Sequence, residues 1–514
     1  MPDAHLLEQL AGLQILNQLL LSLALLVPMV LVARTAVAGT RYSPILIIVV
    51  FGLLMGYILQ ASQVSQPGLP QFSLLGLVSR TTIVALTVSF FIGGQELRKL
   101  LGGIKLDPDD MVTPSTEEVV LGTGRTQLIF IIRSFFLLIG IEALYRTLLG
   151  DDSGELGRFY PLIAYLGLII SVILIDHKAR VANKRRYIVM GLIEVASIVA
   201  ILLGSRSIAL WVEPLIALPQ IFFCMILASG LGALLYRWRF GPTIRALLFA
   251  GIPVVLAATF MIGGSRIGDA FAIEGINAIL AYGFFGQMFW MFGGIALLML
   301  LGRTAQARNL APGMAGSLSH SGLTGACTAG DLGPISALRA PIMINVPFFG
   351  HIFVFTILAM SADRGALLLW PALLIVLIGI SVTAWSLRTM SRANGNDAAE
   401  VKGLMQFSFG WQICAVFGSF VLLHLGGVSL GFGAMAASSG ISHFGLFAAT
   451  QGGMFGSDAA ELIPFVFSMP FLVHPLVFFM FGQAMEKDGN MPRLPAFILA
   501  GLGLAGVLYA LFVG

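Results

Sequence analysis

The chain has 514 residues, of which 58% are apolar and 11% charged, whereas about 25% of the residues of a soluble domain are charged. So few charges do not cover a soluble surface, and the net charge of +4 does not indicate a nucleic-acid partner because Lys and Arg lie between apolar runs. The composition excludes a soluble enzyme domain and a nucleic-acid-binding module. It predicts an all-α polytopic membrane protein that has the lipid bilayer as a partner.

Apolar runs suited to crossing about 30 Å of hydrocarbon recur along the whole chain. We predict about fourteen transmembrane helices, of which eight belong to a scaffold-like N-terminal region, residues 1–275. The predicted spans are 14–34, 44–61, 80–97, 127–147, 160–176, 187–204, 214–236, 246–263, 276–302, 341–361, 366–387, 407–428, 462–484 and 494–513.

The positions of Lys and Arg predict the orientation of these spans. Loops after odd-numbered spans are rich in cations, as in 178–186, whereas the loop 62–78 after the second span has none. Cytoplasmic loops carry an excess of Lys and Arg, so both termini are predicted to lie outside. No cleaved signal peptide is recognised at the N-terminus. The predicted location is a bacterial inner (plasma) membrane.

The C-terminal half contains an internal repeat with a spacing of 123 residues. Residues 319–355 align without gaps on 442–478 with fourteen identities in 37 positions, in the pattern S-H-x-G-L-x-x-A followed by P-x5-P-F-x-x-H-x-x-V-F. The likeness extends over roughly 287–388 and 410–512. We therefore predict two repeat units, 276–388 and 407–513.

Each unit contains a stretch dominated by Gly, Ala, Ser and Thr, at 313–333 and at 431–456. If 313–333 crossed the bilayer, the basic loop 388–406 would lie outside, against the cation rule. If the stretch instead enters and leaves on one side, the loop lies inside and the second copy is inverted. We predict inverted repeats with two re-entrant, broken segments. Such segments at matching positions point to a binding site near the bilayer midplane.

The candidate substrate- and ion-binding residues come from these stretches and the helices that follow them. Hydroxyl and carbonyl oxygens suit a hard cation such as sodium, and histidine titrates near neutral pH. An ionisable group within a span is functional by default. The candidates are Ser319, His320, Ser321, Gly322, Thr324, Thr328, Asp331, Asn345, His351, Ser438, Ser439, Ser442, His443, Gly445, Thr450, Gln451, Asp458, His474 and Glu194.

Each of these residues also has a structural interpretation. Small residues allow close helix packing, and the duplicated histidines could simply bridge the repeats. Asp331 and Asp458 could be solvated loop carboxylates, and Glu194 could be hydrogen-bonded to a neighbouring helix. The sequence leaves these alternatives open.

The sequence contains little that indicates a metal-binding site or an enzyme active site. Cys224, Cys327 and Cys414 make no metal-spaced pair and are expected to be buried packing residues. No histidine motif with metal-ligand spacing occurs. We therefore expect neither an enzyme nor a resident cofactor, and no metal other than a coupling sodium ion.

Two N-terminal segments resemble a known family of transporters. RYSPILIIVVFGLLMGYIL at 41–59 and TTIVALTVSFFIGGQELRKL at 81–100 are similar to the opening helices of monovalent cation/proton antiporters. The outside termini and paired broken segments resemble the sodium–glutamate symporter family. The resemblance implies a scaffold domain, a mobile transport domain and cation-driven solute movement, and it assigns no role to individual residues.

These observations favour a secondary active transporter that moves a small, anionic solute coupled to sodium or protons. The alternative is a monovalent cation/proton antiporter. A proton-pumping subunit of a membrane redox complex is less favoured, because such subunits need lysines within the membrane and every lysine here is predicted in a loop. The expected partners are a small-molecule or ion substrate and the bilayer, and a homodimer is left open.

Overall fold

The fold is described from a computed structural model. It covers residues 4–61, 71–104, 124–151, 156–174, 177–216, 218–238, 241–301, 306–318, 320–393, 397–428, 431, 444–487 and 489–512. Within these ranges the regular elements are helices, and the extended pairing is limited to an isolated bridge between Gln306 and Asn490.

Among the described residues, eleven α-helices precede residue 276, some of them short. They are α1 Ala4–Val37, α2 Ile45–Ala61, α3 Gln71–Arg80, α4 Thr82–Leu101, α5 Gly124–Leu149, α6 Tyr160–Ile173, α7 His177–Val212, α8 Gln220–Leu234, α9 Pro242–Ala246, α10 Ile252–Ser265 and α11 Ile267–Ala270.

The remaining described helices belong to the two repeat units. They are α12 Ile276–Leu301, α13 Ala307–Ser317, α14 Ser321–Thr328, α15 Pro334–Asp363, α16 Leu369–Ser391, α17 Asp397–Leu425, α18 Phe444–Gln451, α19 Ser457–Phe471, α20 His474–Glu486 and α21 Arg493–Phe512.

In the described part of the chain, ten helices are long and apolar enough to cross a membrane, or eleven when α19 and α20, bent by 42°, count as one span. This confirms an all-α, multi-pass membrane protein. The three other predicted spans fall on the shorter apolar helices Ile45–Gln60, Gly157–Ile173 and Gln220–Leu234, so the number fourteen stays a prediction.

The backbone repeats itself where the sequence repeats. Gly330 and Gly453, 123 residues apart, both have φ of +85°, and Gly333 and Gly456 have φ of +88° and +93°. Glycine adopts this left-handed region without a steric penalty. The turn hydrogen bonds also match: Gly330 N donates to Cys327 O and Gly453 N to Thr450 O, both at 2.9 Å. The turns after α14 and α18 therefore have one conformation.

Each repeat unit packs its last helix on the first helix of the other unit. A Cβ atom on Gly379 of α16 would lie 2.9 Å from Gly410 O of α17, and one on Gly503 of α21 would lie 2.9 Å from Phe285 O of α12. Gly379 and Gly503 are 124 residues apart, and Phe285 and Gly410 are 125 apart. This reciprocal packing is the signature of an approximate two-fold relation between the units.

The first helices of the two units run in opposite directions. Tyr282 Oη of α12 bonds to Ser419 Oγ of α17 at 2.8 Å, and Trp411 Nε1 donates to Trp290 O at 3.0 Å. Residue numbers therefore rise along α12 as they fall along the facing α17. Equivalent helices are antiparallel, so the two-fold axis is perpendicular to them.

A second repeat, which the sequence analysis did not predict, lies in the N-terminal region. The pattern F-x-I-G-G occurs at 90–94 in α4 and at 260–264 in α10, 170 residues later. A Cβ atom on Gly56 of α2 would collide with Met261 O, and one on Gly232 of α8 would collide with Phe91 O. Helix α2 thus packs on α10 as α8 packs on α4, so the region predicted to be scaffold-like also contains a repeat.

The two repeats share the same two-fold relation. A Cβ atom on Gly93 would lie 2.5 Å from Pro341 O, and one on Gly263 would lie 2.6 Å from Pro464 O. The rings of Phe90 and Phe348 meet edge to face at 4.6 Å, and those of Phe260 and Phe471 do so at 4.8 Å. Helix α4 therefore supports α15 as α10 supports α19.

Candidate functional site

Residues 307–318 and 320–333 form a hairpin, which we call the first hairpin. Ser336 Oγ of α15 donates to Arg308 O of α13 at 3.1 Å, and a Cβ atom on Gly316 would collide with Met343 O. Residue numbers rise together along α13 and α15, so the two helices run side by side in the same direction. Because α15 begins at the end where α13 began, α14 is the returning arm.

The facing element of the second unit is a helix interrupted by proline. Helix α19 contains Pro464 and Pro470, and α20 begins at His474 with Pro475 in its first turn. Proline lacks an amide N–H and its ring clashes with the carbonyl four residues earlier, here that of Phe471. The bend of 42° between α19 and α20 follows from this local chemistry.

The tip of the first hairpin meets this bend at two buried histidines, the histidine pair His320 and His474. Their Nε2 atoms face each other within hydrogen-bonding distance, and the ring centroids are 4.1 Å apart. Both side chains are fully buried. Phe471 stacks on His474 at 4.1 Å, and a Cβ atom on Gly322 would lie 3.1 Å from the Phe471 ring. Glycine at 322 therefore lets the two broken elements approach.

The hydrogen bonds of His320 determine where its proton lies. The backbone N–H of Leu323 donates to His320 Nδ1 at 2.8 Å, which makes His320 the N-cap of α14. Since a backbone N–H only donates, Nδ1 of His320 accepts and carries no proton. A neutral His320 then has its proton on Nε2 and donates it to Nε2 of His474.

His351, the repeat equivalent of His474, lies in a matching aromatic site away from the histidine pair. Phe348 stacks on His351 at 4.1 Å and Phe355 lies 5.4 Å from it, while Phe478 lies 5.7 Å from His474. His351 Nδ1 lies 3.1 Å from Pro347 O. The sequence paired the histidines by repeat, whereas the contact joins His320 of one unit to His474 of the other.

Two of the candidate residues have buried oxygen atoms without a hydrogen-bond partner in the described part of the chain, Ser321 and Asn345. Ser321 Oγ is buried and has no hydrogen-bond partner in the described part of the chain, whereas Thr328 Oγ1 donates to Thr324 O at 2.8 Å. Asn345 Nδ2 donates to Phe90 O at 3.2 Å and its Oδ1 is buried without a partner among the described residues. Buried oxygens without partners are costly and are available to a bound cation or solute.

Asp331 closes the first hairpin at its other end, in the loop between α14 and α15. Ser43 Oγ donates to its carboxylate at 3.4 Å, and the Arg34 guanidinium exerts an attractive charge on it. Burial raises the pKa of Asp331 from 3.8 to about 6, and the charge of Arg34 partly opposes that shift. Asp331 therefore titrates near physiological pH, outside the span-length helices.

Glu194 lies apart from the histidine pair and caps a helix. Its carboxylate accepts the backbone N–H groups of Gly241 at 2.6 Å, Thr243 at 2.9 Å and Ile244 at 3.3 Å, at the start of α9. A carboxylate at a helix N-terminus satisfies unpaired amides and interacts favourably with the helix dipole. This arrangement matches the hydrogen-bonded structural interpretation.

Some of the candidate residues of the second unit lie in the described part of the chain. Asp458 is exposed at the start of α19, bonded to Ser457. Gln451 Nε2 donates to Ser79 Oγ at 2.8 Å, and Thr450 Oγ1 donates to Leu446 O, while Gly445 is buried in α18. The remaining candidates lie outside the described residues: Ser319, Ser438, Ser439, Ser442 and His443.

Sequence reasoning missed one residue with an unusual environment, Gln287. It is fully buried in α12, and neither its Nε2 nor its Oε1 has a partner in the described ranges. A glutamine within a transmembrane run was the available signal. The three cysteines are free and buried, and no group of three metal-ligating side chains occurs among the described residues.

Comparison with known proteins adds no relative to this picture. No protein-family model, curated protein or solved structure matches the chain.

Proposed function

We propose that the chain is a secondary active transporter that moves a small, anionic solute coupled to sodium or protons. The observation that carries the proposal is the buried contact of His320 with His474, made where two broken elements from oppositely directed repeat units meet. Irregular backbone at membrane depth is tolerated where it lines a cavity or is enclosed by protein. Broken segments at matching positions of inverted repeats are typical of transporter binding sites.

In this proposal all fourteen apolar helices cross the bilayer and the first hairpin is re-entrant. The parallel course of α13 and α15 supports re-entry, because a hairpin between them starts and ends at one level. The antiparallel course of α12 and α17 supports inversion of the two units. Alternating access would then arise from movement of the repeat units relative to the α4 and α10 supports.

The hydrogen bonds of the histidine pair support proton coupling. His320 Nδ1 is occupied by the Leu323 N–H, so one additional proton leaves N–H groups on both facing Nε2 atoms. Two donors do not bond to each other, and uptake of a proton therefore breaks either the histidine contact or the N-cap of α14. A proton thus changes the contact between the units.

Sodium is the other candidate coupling ion. The unpartnered Ser321 Oγ supplies an oxygen ligand, the kind that hard cations prefer. The two coupling ions are distinguished by replacing sodium with choline while the pH gradient is held constant.

The second candidate function, a monovalent cation/proton antiporter, is favoured by Asp331. A half-buried carboxylate that titrates near neutral pH, beside the charge of Arg34, is a group that exchanges a proton for a cation. An antiporter needs no organic solute, whereas the leading proposal does.

The test uses the full chain in proteoliposomes that enclose a pH-sensitive dye. Succinate, glutamate and lactate are added outside, with sodium present or replaced by choline. We expect one of them to change the internal pH or to enter against its gradient, and His474→Ala to abolish this movement while His424→Ala, at an exposed histidine of α17, preserves it.

Two results would overturn the leading proposal. Solute movement at the same rate with and without each ion gradient indicates a channel or facilitator. Recovery of an acidic lumen on addition of NaCl or KCl alone, without any solute, indicates the antiporter instead.

A further inference from the structure

Gln287 of α12 is a buried polar side chain with no hydrogen-bond partner in the described part of the chain. Its exposure is 0%, and both ends of the amide lack a partner in the described part of the chain. Leaving a buried donor and a buried acceptor unpaired is unfavourable. An apolar side chain such as leucine would fill the same volume without the cost of unpaired polar atoms. The amide of Gln287 is therefore available to bind a ligand.

The helical register shows where the amide points. Gln287 and Gly294 are seven residues apart and therefore share one face of α12. A Cβ atom on Gly294 would lie 2.7 Å from Met314 Cε of α13 and 2.7 Å from Trp411 Nε1 of α17. Phe285 and Phe289, which contact α21, lie on the opposite face. The Gln287 side chain thus points between α12, α13 and α17.

The repeat equivalent of Gln287 is also a glutamine and points into the same space. Gln412 follows Gln287 by 125 residues, the spacing that relates α12 to α17, and is fully buried. It shares a face of α17 with Ser408, which donates to Gly313 O of α13 at 3.2 Å, and with Ser419, which contacts α12.

The two glutamines lie at almost the same level. In the register set by Tyr282 with Ser419 and Trp290 with Trp411, Gln287 lies opposite the residue two positions after Gln412. Two residues of a helix rise by about 3 Å. The two glutamines therefore lie at nearly one level on the facing helices α12 and α17, whose two-fold relation places them near the axis.

Neither α12 nor α17 offers a charged side chain to a ligand at this point. Helix α12 contains no Asp, Glu, Lys or Arg, and the charged residues of α17 lie near its ends. An amide side chain donates and accepts at once, so it pairs with a group that does the same, such as a carboxamide or a protonated carboxyl.

We infer that Gln287 and Gln412 bind an uncharged carboxamide or protonated carboxyl group of the transported solute at the two-fold axis. The inference rests on the proposed function and specifies its substrate: a carboxylate solute binds here in its protonated form, together with the coupling proton. The rings of Trp290 and Trp411, three residues after Gln287 and one before Gln412, meet edge to face with their centroids 5.4 Å apart.

The experiment measures binding by the full chain in nanodiscs with two primary amides, glutamine and nicotinamide, and their acids, glutamate and nicotinate. At about pH 8 the acids are ionised, and we expect the amides to bind at least about tenfold more tightly than the acids. Gln287→Leu is expected to lower amide affinity by about tenfold or more while raising the melting temperature. Gln406→Leu, the same substitution on another face of α17, is expected to leave affinity unchanged.

Three results would overturn the inference: no binding of either amide by the wild-type chain, tighter binding of the ionised acids, or amide affinity within about twofold of wild type in Gln287→Leu. Gradient-driven transport of solutes that lack such a group would refute the inference and leave the proposed function intact. Amide binding without gradient-driven flux would refute the proposed function instead.

Discussion

The Nδ1 atom of His320 accepts the backbone N–H of Leu323 at 2.8 Å, and this one bond links the protonation of the histidine pair to the start of α14. The opposite edge of the same ring faces His474. Capping and contact between the units therefore use different nitrogen atoms of one side chain, so substitution can separate them.

His320→Asn is expected to retain the cap and lose the contact, because the short amide oxygen takes the place of Nδ1 but does not reach His474. The cap is kept, since Asn is a good N-cap, but the buried Nε2 of His474 loses its partner, which should cost about 1–3 kcal/mol, and coupled flux is lost. His320→Gln should do the reverse, with a loss of about 1 kcal/mol from the missing cap. Equal flux in the two variants would separate transport from the histidine contact.

Glu194→Ala is expected to destabilise the fold by about 1–3 kcal/mol, because three backbone N–H groups at the start of α9 lose their acceptor. If the role is structural, the protein that remains folded transports at the wild-type rate. The measurement is thermal unfolding together with flux per folded molecule. A stable variant with no flux would instead identify Glu194 as a coupling residue.

The sequence predicted the C-terminal repeat and not the N-terminal one, for a physical reason. The first hairpin and the turns around it need Gly, Pro and His at fixed positions, so residues 319–355 and 442–478 remained visibly similar. Helices α4 and α10 need only small residues at their crossings, which leaves F-x-I-G-G as the visible trace. Their spacing of 170 also differs from the 176 that relates Gly56 to Gly232, so an ungapped comparison dilutes the signal.

Aligning the two repeat units could not predict the contact between His320 and His474. A repeat aligns His320 with His443 and His351 with His474, whereas a two-fold relation brings together residues that do not align. Gln287 was missed because one glutamine hardly changes the hydropathy of α12. The apolar runs, by contrast, predicted the positions of the long helices, because the thickness of the bilayer sets the length of an apolar segment that crosses it.

Close packing at equivalent glycines predicts matching defects in the two halves. Gly93→Ala and Gly263→Ala each place a methyl group against a proline carbonyl oxygen, at 2.5 Å and 2.6 Å, and each should cost about 1–3 kcal/mol. Gly230→Ala in α8 is the control, because a Cβ atom there has open space around it and alanine should stabilise a helix by about 0.5–1 kcal/mol. The readout is the melting temperature, and a neutral Gly263→Ala beside a damaging Gly93→Ala would contradict the shared two-fold relation.

Asp331 predicts the pH dependence of stability. Its pKa is about 6 in the folded chain against the ordinary 3.8, so between these values the folded state binds more protons than the unfolded state. The stabilisation is complete below about 3.8 and is lost as the pH rises through about 6. Asp331→Asn removes the titrating group while keeping an acceptor for Ser43. The variant should therefore be more stable than the wild type above about pH 6, and its melting temperature should not fall as the pH rises through this value.

Arg34 and Arg41 both lie near this loop, and the prediction concerns the carboxylate of Asp331 between them. An unchanged slope in Asp331→Asn would assign the dependence to another residue, and lost cation exchange in the same variant would favour the antiporter.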